Sequence, residues 1–402
     1  MTEYFPILST QVNGSPLLYY DNAATLQMAA PVQEAVAEHY RTCNGNVHRS
    51  SHAMARSTEE RMEAARETVR AFLGAEYPEE ILFTSGTTQG INLLARIYED
   101  QLLQPGDEIV VTALEHNSNF LPWLEVCRRT RAVLRVVPLT PDGDLDLEAY
   151  ERLLTDRTRL VCMTWISNAI GTVNPVERMT ALAHQAGAKV LVDGAQAVLH
   201  RPVDVTRLGC DYFAFSGHKL GALTGIGVLY GRRELLDNLR PPFFGGGMIS
   251  TLEGLHPSYA PLPYRFEAGT PNYVGAISLG AAIDFLNRFG IRALTAQAET
   301  VLNGIQSIVL AHGGSIVGNP QVRAGVLSVL FPGVHPYDLA CILDPFGVAV
   351  RAGHHCASYA LAQLCISETL RISPAFYNEP EELPQFEEAL ERALHLLGIA
   401  AS

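Results

Sequence analysis

FAFSGHKLGALTGIG, residues 213–227, sets one lysine, Lys219, among aromatic, small and glycine residues, with no acidic neighbour in the stretch. Desolvating an unpaired ammonium is costly, so a lysine in such company invites the reading that its amine is engaged in chemistry. A surface turn would account for it equally well if it stood alone. The sequence on either side decides between the two.

From about residue 80 to 240 the chain alternates short apolar runs with amphipathic segments. Runs at 81–84, 108–112, 132–137, 160–164, 189–193, 211–215 and 226–230 read as strands. Helices are expected at 88–101, from near Ser118, around 145–154, and from Pro175 as first helical residue to Gly187. Such alternation predicts an α/β fold with a large, mostly parallel seven-stranded sheet sandwiched by helices. Ligands of these sheets gather beyond the C-terminal ends of the strands, where the connection carrying Lys219 falls. Residues 241–275, rich in proline and glycine, read as a long loop. Helices near 276–289 and 293–311, strands at 325–331 and 347–351 and a last helix at 380–397 suggest a smaller α+β domain. The expected division is 20–285 for the large domain, with 1–19 and 286–402 forming the small one.

Composition narrows the function. Of the residues, 48% are apolar and 18% charged, the balance of a compact globular chain. With 29 basic and 42 acidic residues the net charge is −13, which argues against nucleic acid as a partner. The basic run Arg128-Arg129-Thr130-Arg131 reads as a solvated helix end followed by a strand. No stretch has the length of a membrane span, and the N-terminus lacks an export signal, so a cytoplasmic protein is expected. Seven scattered cysteines without a CxxC argue for a reducing compartment and against a zinc site. His354 and His355 are adjacent and would face opposite ways on a strand, so no metal is expected there.

Four further motifs fall at strand ends. Ser85-Gly86-Thr87-Thr88-Gln89-Gly90 enters a helix with small and hydroxyl residues, a turn that suits a phosphate or an ordinary N-cap. Asp193 closes an apolar strand and could face a cationic ring nitrogen or lie in a surface loop. His116, in Glu115-His116-Asn117-Ser118-Asn119, is a loop histidine or one that stacks on a flat cofactor and shuttles protons. In Arg351-Ala352-Gly353-His354-His355-Cys356-Ala357, cationic surroundings can favour the Cys356 thiolate, although a buried structural cysteine is the ordinary alternative. A Schiff-base lysine, a strand-end acid, a phosphate turn and a histidine together suggest pyridoxal 5′-phosphate.

With these motifs in place the sequence closely resembles class V aminotransferases of fold type I, and within them cysteine desulfurases of the SufS/CsdA type and their selenocysteine lyase relatives. The resemblance runs from Tyr20-Asp21-Asn22-Ala23-Ala24 to the C-terminal helix. It includes VHR (47–49), SGTTQGIN (85–92), EHNSN (115–119), SNAIGTVNP (167–175), VDGAQAV (192–198), SGHK (216–219), EAGTPN (267–272) and RAGHHCA (351–357). It implies that Lys219 holds the cofactor, Asp193 faces its ring nitrogen, His116 stacks on the ring, and Gln196 and Asn168 contact the ring oxygen or the substrate side. Thr87, Thr88, Ser216 and His218 would hold the phosphate, joined by Thr270 from the partner subunit of a homodimer. Arg371 matches the arginine that binds the substrate carboxylate, with Arg351 and Asn168 also on the substrate side. Cys356 matches the cysteine that takes sulfur from L-cysteine, leaving L-alanine and a persulfide for an acceptor protein. Selenocysteine, cystine or a modified cysteine are the alternative substrates, and an idle binding paralogue is the non-enzymatic alternative. Three departures stand out, one being Asn117 where many relatives have a second histidine. The Gly221–Gly225 connection lacks the family's proline, which predicts a less constrained loop, and Ser358-Tyr359-Ala360 lacks another.

Overall fold

The computed structural model describes residues 1–48 and 51–399, so Arg49 of the VHR motif lies outside the described residues. Its central sheet contains β1 (Ile81–Thr84), β2 (Glu108–Thr112), β3 (Val133–Val137), β4 (Thr158–Thr164), β5 (Lys189–Asp193), β6 (Tyr212–Ser216) and β7 (Gly227–Gly231). The strands lie in the order β3-β2-β4-β5-β6-β7-β1. Only β7 runs antiparallel to its neighbours. β2, β6 and β7 are buried along their whole length, as a sheet covered on both faces requires. The direction of chain progress reverses between β2 and β4, so the loops after these two strands open a crevice between them.

Helices α1 (Ala30–Thr42), α2 (Ala53–Leu73), α3 (Thr87–Ile97), α4 (Asn117–Thr130), α5 (Leu147–Leu153) and α6 (Val176–Gln185) precede or alternate with the strands. The basic run ends α4, where Arg131 takes a left-handed C-cap just before β3. Pro175 caps α6 from outside rather than beginning it. After β7 come α7 (Tyr273–Asn287) and α8 (Ile291–Ala311), both longer at their N-termini than the sequence suggests. No single helix among the described residues is long and apolar enough to cross a membrane.

A second sheet is antiparallel throughout: β8 (Ser315–Ile316), β9 (Leu327–Leu330), β10 (Arg351–Gly353) and β11 (Thr369–Ile372), in the order β8-β9-β11-β10. Helix α9 (Ser358–Gln363) follows β10, and α10 (Leu383–Leu396) packs near the chain's end. The run expected as one strand at 347–351 divides. Val348–Ala349 pairs in parallel with Leu18–Tyr19, whereas Arg351–Gly353 joins the second sheet. The long loop contains a hairpin, Ile249–Glu253 with His256–Tyr259, that is exposed almost throughout.

Two tethers prepare the site. Leu223 N–H donates to Ser278 Oγ on α7 (3.1 Å), and Asn272 Nδ2 donates to the Gly225 carbonyl (2.8 Å). These bonds restrain the proline-free connection after Lys219, where Gly221 and Gly225 adopt φ of 81° and 79°. Arg66 on α2 forks onto Glu267 at 2.8 and 3.0 Å, both side chains being buried. The same pair reaches β1, because Arg66 donates to the Ile81 carbonyl and Glu267 accepts from Phe83 N–H, each at 2.7 Å.

Candidate active site

Every sequence-predicted site residue except Thr270 lines one cavity of about 330 Å³ above the C-terminal strand ends. Thr270 lies exposed on the loop before α7 and does not line it.

The floor is built by strand ends. Lys219 sits on a short helical turn, Gly217–Leu220, directly after β6. Its Nζ donates to the Ala23 carbonyl. Burial first, then the Arg371 cation, lower its pKa from 10.5 to about 8, with Asp193 opposing them. This is an amine readily freed of its proton. Asp193 ends β5, and its Oδ1 accepts from Ala195 N–H at 2.9 Å. Burial raises its carboxyl to about 6, against the pull of that N–H and of Lys219. A neighbouring cation would therefore be needed to keep it fully charged. Gly194 is obligatory here, since a Cβ would lie 1.9 Å from the Phe213 ring.

His116 caps α4, its Nδ1 accepting from Ser118 N–H at 3.1 Å, which leaves the proton on Nε2. Burial, with Lys219 and Arg371 nearby, lowers its pKa to about 4, so the ring is neutral near pH 7. At the start of α3, Thr87 N–H and Thr87 Oγ1 both meet Ser216 Oγ at 2.8 Å. Thr88 Oγ1 meets Ser118 Oγ at 2.7 Å, and His218 Nδ1 lies 3.3 Å from Thr25 Oγ1. Gln196 Nε2 donates to the Ala23 carbonyl at 2.8 Å, the acceptor it shares with Lys219.

The wall comes from the second sheet. Arg371 on β11 is 2% exposed; Nη1 donates to the Asn168 carbonyl and Nη2 to Asp21, both at 3.0 Å. Its Nε is fully buried and has no hydrogen-bond partner among the described residues, while the side chain as a whole lines the cavity. Arg351 on β10 grips Asp21 through Nε (3.1 Å to each oxygen) and Nη2 (2.8 Å). Cys356 is exposed, on a turn in which both His355 and Cys356 take left-handed φ, 52° and 54°. Asn168 Nδ2 donates to the His355 carbonyl at 2.6 Å and Asn117 N–H to the Cys356 carbonyl at 2.7 Å.

Two residues with a part in this site, Asp21 and Glu115, escape sequence reasoning, and a third, His355, is misread by it. Asp21 stands in a quoted motif, but its two cationic partners are 330 and 350 positions away. Glu115 lies buried beneath His116, accepting from Thr112 Oγ1 (2.5 Å), Asn119 Nδ2 (2.6 Å) and Thr164 N–H (2.8 Å). Burial raises it to about 8, and the Asp193 carboxylate adds to that rise. The sequence reads His355 only as part of a cationic surrounding of Cys356; it is instead buried and neutral, its pKa lowered to about 3 by burial and the nearby arginines.

The donor set fits pyridoxal 5′-phosphate. One deprotonatable amine, a carboxylate opposite it and a neutral imidazole line the same cavity, and the hydroxyls of Thr87, Thr88 and Ser216 cluster at the N-terminus of α3. Comparison with known proteins reaches the same neighbourhood. The chain is 45% identical over 397 residues to a cysteine desulfurase of Klebsiella pneumoniae, covering 98% of this chain and 97% of that protein. It is 43% identical over 394 residues to a probable cysteine desulfurase of Halalkalibacterium halodurans, with the same coverages. Among solved structures, the cysteine desulfurase CsdA (S-sulfonic acid) from Escherichia coli superposes with a TM-score of 0.91 at 38% identity, over 98% of this chain and 97% of that one. The family model described as aminotransferase class-V matches residues 18–386, which takes in both sheets and every residue of the cavity, and the chain belongs to that family.

Proposed function

We propose that this protein is a pyridoxal 5′-phosphate-dependent cysteine desulfurase, converting L-cysteine to L-alanine and leaving a persulfide on Cys356. The observation that carries the reading is the convergence of Asp193, Lys219 and Cys356, brought from the end of β5, the turn after β6 and the turn after β10, on one cavity. Lys219 is the covalent anchor, Asp193 the acid at the ring nitrogen and His116 the stacking residue. Thr87, Thr88, Ser216 and His218 hold the phosphate, and Gln196 and Asn168 the ring oxygen and substrate side. When bound, the cofactor supplies an electron sink for charge developing at the substrate Cα.

The chain's own groups supply the rest. Arg371, whose cation lines the cavity, meets the substrate carboxylate through a charge-assisted contact, and Arg351 adds positive potential beside it. Lys219, with its lowered pKa, takes the Cα proton near neutral pH. The Cys356 thiolate attacks the substrate sulfur. An S–S bond forms, the Cβ–S bond breaks, and its electron pair stays with the three-carbon fragment that is protonated to alanine.

The finer features belong to the same proposal. The protein works as a homodimer in which Thr270 of each protomer completes the partner's phosphate site; its exposed position outside its own cavity supports this. The persulfide passes to an acceptor protein, favoured by the exposure of Cys356. A reducing cytoplasm suits seven cysteines that are all free. The division into 20–285 and 1–19 with 286–402 is supported by the two separate sheets and by Leu18–Tyr19 pairing with Val348–Ala349. Incubating the holoenzyme with cysteine and mapping the added sulfur by mass spectrometry tests the function. A persulfide on Cys356 is expected, and Cys356→Ala should release alanine on the order of a hundredfold more slowly or worse. Undiminished release by that variant would overturn the reading.

A further inference from the structure

The Cys356 turn is held from behind by a chain of hydrogen bonds with only one consistent direction. Ser328 Oγ on β9 donates to the Ala169 carbonyl at 2.5 Å. A hydroxyl has one proton, so Ser328 can only accept from Thr369 Oγ1 on β11, at 2.9 Å. Thr369 has then spent its own proton and must accept from His355 Nε2, at 2.8 Å. His355 is thereby fixed as the Nε2–H tautomer, and its buried Nδ1 lone pair is left without a partner. The charged groups around it are Arg371, Arg351 and Asp21, and burial with the two arginines lowers the imidazole to about 3. It stays neutral throughout the working range, so the direction of the chain does not reverse.

Both ends of this relay return to one loop. Ala169 accepts the last hydroxyl, while its neighbour Asn168 donates its amide to the His355 carbonyl and offers its own carbonyl to Arg371. The left-handed φ at His355 and Cys356 is unfavourable for residues with a Cβ, so the turn persists only while its surroundings enforce it.

We propose that His355 is the positioning residue of the sulfur-transfer step: the directed relay His355–Thr369–Ser328–Ala169 holds the strained turn that presents Cys356 and ties it to the loop that receives Arg371. The inference rests on the cysteine desulfurase reading. His355 touches neither substrate nor cofactor in this role; it acts through the geometry of Cys356.

The test separates reactions that need the thiolate from one that does not. Selenium leaves more readily than sulfur, so elimination from selenocysteine should proceed without attack by Cys356. In the Thr369→Val holoenzyme the His355 N–H loses its acceptor. Its kcat for alanine release from cysteine should fall about tenfold or more, with KM for cysteine within about twofold. Turnover of selenocysteine and the cofactor's absorbance should be unchanged. Thr369→Ser, which keeps the hydroxyl, should restore desulfuration, and Ser328→Ala gives the same readout if Thr369→Val does not fold. Equal losses on both substrates, or no loss on cysteine, would overturn the proposal. Cys356→Ala run alongside distinguishes the two levels. If that variant is inactive on cysteine while Thr369→Val is unimpaired, the relay alone is wrong; if it desulfurates normally, the underlying reading fails and takes the relay with it.

Discussion

The floor and the wall of the cavity hold their reactive groups in contrasting ways. Asp193 ends and Lys219 directly follows adjacent parallel strands that are buried apart from Lys189, and Glu115 nearby is also buried. Cys356 instead rides on an exposed turn with left-handed backbone, fixed by two main-chain acceptors and one relay. Burial shifts the proton affinities of the floor's reactive groups themselves, whereas in the wall it acts on the supporting His355 and leaves the thiol accessible, held by directional bonds. The pattern suits the roles proposed above. A cofactor held covalently at Lys219 would gain from rigid surroundings, and a cysteine that hands sulfur onward would have to be reached from outside.

The largest expected effect attacks the floor. Lys219→Ala removes the proposed anchor and base, so desulfuration should drop by about a thousandfold or more, and borohydride should fix no cofactor to the protein, as read by mass spectrometry. Retention of an adduct at another lysine would end the distinction drawn here. A medium effect tests whether burial is what sets the floor. The Glu115 carboxyl is raised from 4.5 to about 8, so the folded chain binds that proton more tightly than the unfolded one. Its contribution to stability is complete below about 4.5 and is lost as pH rises through 8, and Asp193, raised from 3.8 to about 6, acts in the same direction. Melting temperature should therefore decline by a few degrees between pH 5 and 8, and less so in Glu115→Gln. A Glu115→Gln profile parallel to wild type would assign the decline to other groups. The smallest effect sharpens the wall. Tyr359 on α9 stacks on Phe120 of α4, with ring centroids 5.1 Å apart and planes at 28°. Tyr359→Ala should raise the alkylation rate of Cys356 by about two- to tenfold, in line with ~0.5–1.5 kcal/mol for such a pair.

How much of this could be read from sequence follows the same divide. The seven strands of the large sheet were legible because each is a run of Val, Ile, Leu or Phe of strand length, bounded by turns. Lys219, Asp193 and His116 could be suspected because they punctuate those runs. Helices α1 and α2 carry no such signal. The buried positions of α2 include Ala55, Met62, Ala65, Val69 and Leu73, but two of these are alanines and Thr58 and Arg66 share the same face, which breaks up the apolar stripe. The hairpin Ile249–Glu253 and His256–Tyr259 was read as loop because it buries neither face, and only burial makes alternation visible. Strand β11 places a buried arginine in a four-residue strand, and without the family resemblance Arg371 has no sequence cue. Pairings that span the chain, such as Asp21 with Arg371 or Leu18 with Val348, are set by tertiary contact and leave no local mark.

The buried fork between Arg66 and Glu267 has a consequence for assembly. Glu267 opens the segment that ends in Thr270 and Asn272, and it is pinned to the large sheet within a single protomer. In the proposed dimer, the loop offered across the interface has already lost its conformational freedom when the chain folds. Docking would then have less ordering of that segment to offset.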